Sequence, residues 1–326
     1  MLSKHWTSVL SILLSVAVLY AFLQDADQQG LRALFTTLRW DWLLSALLIK
    51  SLSLSIHEYR LWLGFTKPRP PIQTTMQIGF ASALLNILLP GRAGDVAAIA
   101  MLNKKCGVPI GIATFAVGMV GFFEGAVFGL MMLAVLVFNA PMWIQYLGTD
   151  LHLQSLQTIS GLTLLGIGIV VVATIIGQRF FTEPEEQTDD FSPLSWLRDA
   201  FNQTGQAIGN RHYILFNTLA SIAEVWLMIA AFAIGFPMLD LQAELITLTP
   251  LLAWSLSGLV LGISAIAAIV LPPTYGAGSA AASVFILGLF GFDETQALGF
   301  ASVWWLISQV PTVLLGLPSL WLVGKK

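Results

Sequence analysis

Charge is what this chain has least of. Asp, Glu, Lys and Arg make up 10% of its 326 residues, against 56% hydrophobic residues; a soluble domain carries about 25% charged residues. That scarcity excludes an ordinary soluble enzyme and leaves a polytopic membrane protein. Cysteine is almost absent. Cys106 stands alone, so no internal disulfide forms and no Cys/His spacing marks zinc. The four histidines are scattered, and neither a metal site nor a cofactor is expected from them. A diffuse net charge of −3 gives no basic face for nucleic acid. Walker, HExxH and hydrolytic-triad motifs are missing, and no soluble stretch is large enough for a nucleotide. Neither an enzyme nor a self-contained ATP-driven pump is expected.

Long apolar runs are what the chain has instead. A spanning helix needs about 20 mostly apolar residues, and six stretches qualify: 7–23, 42–62, 112–138, 158–177, 213–235 and 296–322. The first lacks a small-x-small cleavage site before Gln24-Asp25-Ala26-Asp27, so it reads as a helix rather than a signal peptide. Trp40, Trp42, Trp143, Trp304 and Trp305 fall near predicted span ends and read as an interfacial belt.

Two further stretches are apolar but broken. Residues 74–103 are interrupted by Pro90-Gly91-Arg92-Ala93-Gly94, and residues 247–290 by Pro272-Pro273-Thr274-Tyr275-Gly276-Ala277-Gly278. Positive charge decides how they run. If both re-enter and the N-terminus is cytoplasmic, the cytoplasmic side holds Lys4, Arg60, Lys67, Arg69, Lys104, Lys105, Arg179, Arg198, Arg211, Lys325 and Lys326, and the outside holds only Arg32 and Arg39. If each crosses once, the division is six against seven. The predicted fold is therefore all-α: six full spans plus two re-entrant helical hairpins, with both termini cytoplasmic, in the inner membrane. Asp95 to Lys105 would rise about 15 Å as a helix, half of a ~30 Å hydrocarbon core. The polar stretch 178–212 reads as a cytoplasmic connector, either a solvated linker or one with a surface helix laying Leu194, Trp196, Leu197 and Phe201 on lipid.

The broken stretches align on an offset of 184 residues: Gly94 with Gly278, Ala97 and Ala98 with Ala281 and Ala282, Gly107 with Gly291, Ala113 with Ala297. With the spans, this predicts one integral membrane domain, 1–326, built as an inverted-topology repeat of 1–140 and 155–326. Transporters of that plan bind at broken helices near the midplane.

Irregular backbone at membrane depth survives only where protein packs it or a wet cavity receives it. A helix starting near Asp95 would aim free N–H groups and a positive dipole end at the membrane centre, with Arg92 three residues before it. Gly91 and Gly94 allow close approach, which suggests an anion site for a phosphate. Alternatively, Asp95 merely caps its helix and pairs with Arg92. Asn86, one turn before Pro90, is expected to bond backbone carbonyls freed at the break. The second break offers Thr274, Tyr275, Gly276 and Gly278. Ionisable residues inside spans are costly and usually functional; they are Glu124, Glu224 and Lys50. Lys50 and Glu224 each occupy the second span of a half and are expected to face one another, as a site or as a structural pair. His57, Glu58 and Arg60 close span 42–62 and read chiefly as headgroup anchors.

Segment 86–107, NILLPGRAGDVAAIAMLNKKCG, resembles the N-x-x-LP-x-R-x-GE segment of the lysylphosphatidylglycerol synthase transmembrane, or flippase-like, family. Tyr59-Arg60-Leu61-Trp62 is similar to its early arginine motif, and LPPTYGAG at 271–278 to its second glycine motif. Asn86, Pro90, Arg92, Gly94 and Asp95 match the first motif, with Asp95 in place of the commoner Glu. The family's ER-x-x-D on the next span keeps only its last acid, as Glu124, and the acid after the second motif is replaced around residues 280–282. The resemblance implies a phospholipid or lipid-linked substrate moved between leaflets. It implies no aminoacyl transfer, since a soluble transferase domain is lacking. Two other readings stand beside it: a secondary transporter of a small anionic solute, and a non-transporting partner of a lipid-modifying enzyme. Homo-oligomerisation or pairing with a lipid-synthesis enzyme is compatible with each.

Overall fold

An apolar chain in lipid must satisfy its backbone polar groups internally, which favours helices. The computed structural model describes residues 28–65, 69–88, 93–138, 211–241, 248–270 and 277–325, and its regular elements there are all helical. In chain order they are α1 (Gln28–Thr36), α2 (Trp40–Leu63), α3 (Ile72–Leu88), α4 (Ala93–Cys106), α5 (Ile110–Phe138), α6 (Arg211–Ala233), α7 (Gly235–Met238), α8 (Pro250–Val270), α9 (Ala277–Leu289) and α10 (Glu294–Lys325). Three helical stretches, Ile110–Ala134, Arg211–Met238 and Glu294–Lys325, are long and apolar enough to cross a membrane. They correspond to the expected spans 112–138, 213–235 and 296–322. The protein is a membrane protein. Expected spans 7–23 and 158–177, and all but two residues of the connector 178–212, lie outside the described residues.

Each broken stretch carries two helices, one on either side of residues outside the described set, and they pack on one another: α3 on α4, and α8 on α9. Polar side chains mark the helix starts. Thr249 Oγ1 accepts the Leu252 N–H at 3.2 Å ahead of Pro250, a cap followed by proline at the first helical position. Asp293 and Gln296 exchange side chain-to-backbone bonds at 2.7 and 3.3 Å, a capping box that opens α10. Gly107 and Gly291 end α4 and α9 with φ of +66° and +81°, where a Cβ would be strained. The next residue then donates back to the last turn, Val108 to Leu102 at 3.3 Å and Phe292 to Leu287 at 3.2 Å. Helices α4 and α9, α5 and α10, and these two glycines begin or stand the same 184 residues apart. Serine hydroxyls inside helices bond one turn back, Ser221 to Asn217 at 2.6 Å and Ser319 to Leu315 at 2.7 Å, so they cost little in apolar surroundings.

The chain divides into two compact units, and each draws on both halves of the sequence. The first takes the described residues up to Leu52 and from Trp226 to Val313. Its interior is aromatic: Phe232 stacks on Trp304 with centroids 3.9 Å apart, and Phe236 meets Phe300 at 4.6 Å. Trp304 is buried there rather than standing in an interfacial belt, because Phe232 offers it a flat partner. Trp40 and Trp305 are exposed, and Trp143 lies outside the described residues. The second unit takes Ser53 to Ala134, α6 up to Val225, and α10 from Leu314. Its core joins Leu61, Phe65, Ile78, Leu102, Ala113 and Val120 to Val323 near the end of α10. Every described member of the site below belongs to this second unit, except Lys50 and Gly278.

Candidate functional site

Helix α2 carries three ionisable residues in four positions. His57 and Arg60 are three apart and share a face, whereas Glu58 is turned about 100° away. Helix α6 brings Glu224 to the first face. Arg60 Nη1 donates to Glu224 Oε2. Arg60 Nη2 donates to the Val120 carbonyl of α5 at 2.8 Å, while Nε is buried and meets no acceptor among the described residues. His57 Nδ1 lies 2.7 Å from Glu224 Oε1 and 3.6 Å from Glu124 Oε2 on α5. Ser53 Oγ adds a bond to the Glu224 carbonyl at 3.1 Å.

Burial is graded across this cluster. Side-chain exposure is 0% for Arg60 and 3% for Glu224, but 31% for His57 and 27% for Glu124. A buried charge costs several kcal/mol in desolvation, and geometry must offset it. Here each Glu224 oxygen has a partner, and two of the three guanidinium nitrogens are bonded. Tyr213 on α6 packs with Phe115 of α5 and meets Phe123 edge-on at 6.3 Å.

Glu58 points the other way. It is 3% exposed and its carboxylate lies against Gly79 of α3, where an added Cβ would overlap it. Beyond it, Asn86 of α3 donates through Nδ2 to Asp95 Oδ1 of α4 at 2.7 Å, across the break. Asn86 thus ties the two arms together, because Asp95 in the first turn of α4 stands opposite it. Gly94 sits so close to the Ser82 carbonyl and the Asn86 side chain that no Cβ fits.

The chain matches the family described as Lysylphosphatidylglycerol synthase TM region over residues 8–316. It belongs to that family. No curated protein matches it. The family match takes in α1 through α9 whole, hence both helix pairs and every ionisable residue of the cluster.

In this lysylphosphatidylglycerol synthase TM family member, Arg60, Glu124 and Glu224 come together, and Asn86, Gly94 and Asp95 form a second group along the α3–α4 break. Pro90, Gly91, Arg92, Thr274, Tyr275 and Gly276 lie outside the described residues. Gly278 is buried in the first turn of α9. Glu224 meets Arg60 and His57, which stand two to three turns further along α2 than Lys50. Lys50 Nζ lies 5.9 Å from the Phe232 ring centre. Nor is Arg60 a headgroup anchor, for no part of it is exposed. His57 and Glu58 were undervalued for the same reason. A charged triplet near a helix end resembles an interfacial anchor, and only the partners on α5 and α6, 67 and 167 positions beyond His57, draw it inward.

Proposed function

We propose that this protein is a lipid flippase or scramblase that moves a phospholipid or lipid-linked substrate between leaflets of the inner membrane. The observation that carries the reading is the Arg60–Glu224–His57–Glu124 cluster within helices of a membrane domain. Charges so placed are retained at a cost and mark polar pathways. Glu124 and His57, the partly exposed members, face the polar route, and Arg60 and Glu224 hold its wall. The anionic headgroup sits at the start of α4, where the helix dipole favours a phosphate and Arg92 adjoins in sequence. Thr274, Tyr275, Gly276 and Gly278 form the counterpart at the second break. Acyl tails remain in lipid.

The architecture we propose with it is six full spans and two re-entrant hairpins related by inverted topology, multi-pass, with both termini cytoplasmic. Two observations support it. α4 and α9 have 14 and 13 residues, so each rises about 20 Å, short of a ~30 Å core. The recurrence of helix starts and of left-handed glycines at one offset supports a repeat. Labelling of single cysteines introduced at Lys104 and Arg198, in a Cys106→Ser background, tests the topology: both should be cytoplasmic. The protein acts as a transporter and not as an enzyme; its partner is the lipid, with self-association or a lipid-synthesis enzyme as further partners. Exchange of fluorescent phospholipids between leaflets of proteoliposomes tests the activity.

A further inference from the structure

We propose that His57, Glu124 and Glu224 form a binding site for one divalent transition-metal ion. The inference concerns the cluster's own chemistry and stands whether or not the protein moves lipid.

One nitrogen and two carboxylate oxygens, one from each residue, all lie within 4.8 Å of one another. His57 Nδ1 stands 2.7 and 3.6 Å from its two oxygen neighbours. Ligand atoms sharing an ion at about 2.1 Å each stand roughly 3–3.5 Å apart, so small side-chain movements suffice. Binding at Nδ1 places the proton of the neutral ring on Nε2. The support around the donors is also that of a metal site. Arg60 holds the second oxygen of Glu224 and orients the ligand from behind. Glu224 is buried at 3%, while His57 and Glu124 are about 30% exposed, so an ion has a way in and keeps open positions for water or an anionic oxygen.

Glu58, next to His57 and 3% exposed, adds a further carboxylate within electrostatic reach of the cluster. Mixed imidazole and carboxylate donors suit Mn²⁺, Fe²⁺ or Zn²⁺ better than Mg²⁺ or Ca²⁺, which prefer oxygen alone.

The test uses the purified full chain in detergent, stripped with a chelator and titrated with Mn²⁺, with free Mn²⁺ followed by electron paramagnetic resonance. Saturation at one ion per chain is expected, with displacement by Zn²⁺ but not by the same concentration of Mg²⁺. His57→Gln and Glu124→Gln should each weaken binding at least tenfold. Both residues are partly exposed, and melting curves of the metal-free variants show whether they remain folded. A Glu58→Gln variant, which removes charge without removing a ligand, should weaken binding less than either. No saturable binding by wild type would overturn the proposal, and so would binding that both ligand variants retain. Leaflet exchange is measured separately, so failure here leaves the transport reading untouched.

Discussion

Arg60 and Glu224 form an ion pair between two helices, 164 residues apart in sequence, with neither side chain more than 3% exposed. Removing one partner strands a charge, whereas removing both does not. Breaking a buried pair from one side costs about 3–5 kcal/mol. Arg60→Met and Glu224→Met should therefore each lower the melting temperature strongly. The double variant should be more stable than either single one, as a double-mutant cycle by thermal denaturation in detergent would show. Additive losses would mean that the pair is not coupled.

Gly79 makes room for Glu58. A Cβ at position 79 would overlap the Glu58 carboxylate, and overpacking of this kind costs about 1–3 kcal/mol. Gly79→Ala is expected to destabilise the protein by that amount. Glu58→Ala in the same chain should restore most of it, since the colliding group is gone. Melting curves of the three variants check this.

Asn86 and Asp95 hold the first break closed. Their hydrogen bond has a carboxylate acceptor and spans α3 and α4, and bonds to charged groups contribute about 1.5–3 kcal/mol. Asn86→Ala should cost that much. Asn86→Asp should cost more, because it sets two carboxylates together. Gly94→Ala should be worse still, since its Cβ would meet backbone at the Ser82 carbonyl. Protease susceptibility near residue 90, compared across the three, reads out the opening of the hairpin.

Gly107 and Gly291 occupy matching places with left-handed backbone. Substitution by alanine where φ is positive costs about 1 kcal/mol. Gly107→Ala and Gly291→Ala should lower stability by similar amounts, and their effects should add in the double variant, as expected for distant sites. Markedly unequal losses would argue against equivalent roles in the two halves.

Helix positions were legible in the sequence wherever length and apolarity sufficed. Spans 112–138, 213–235 and 296–322 sit within two or three residues of α5, the α6–α7 segment and α10. The division of 74–103 and 247–290 into two helices each was legible because proline and glycine interrupt helices locally. Side-chain partnership was not. That His57 and Arg60 meet Glu224 depends on how α2 and α6 pack, which rank order along the chain does not show. The partner of Asn86 on α4 was not legible because the return of α4 past it is a tertiary fact. Trp304 was placed in a belt because a buried aromatic stack leaves no one-dimensional mark. The same limit applies to His57. A lone histidine has no ligand spacing to read, and its two carboxylates come from separate helices.

Leaflet exchange in proteoliposomes tests the central claim most directly. Fluorescent anionic and zwitterionic phospholipids would be compared in vesicles with wild type, Arg92→Ala and Glu124→Gln, and in protein-free vesicles, with equal reconstitution verified. The account predicts exchange by wild type well above the protein-free rate for at least one lipid, and a loss of at least tenfold in both variants. Wild-type exchange no faster than in protein-free vesicles for every lipid, or full activity in both variants, would contradict it.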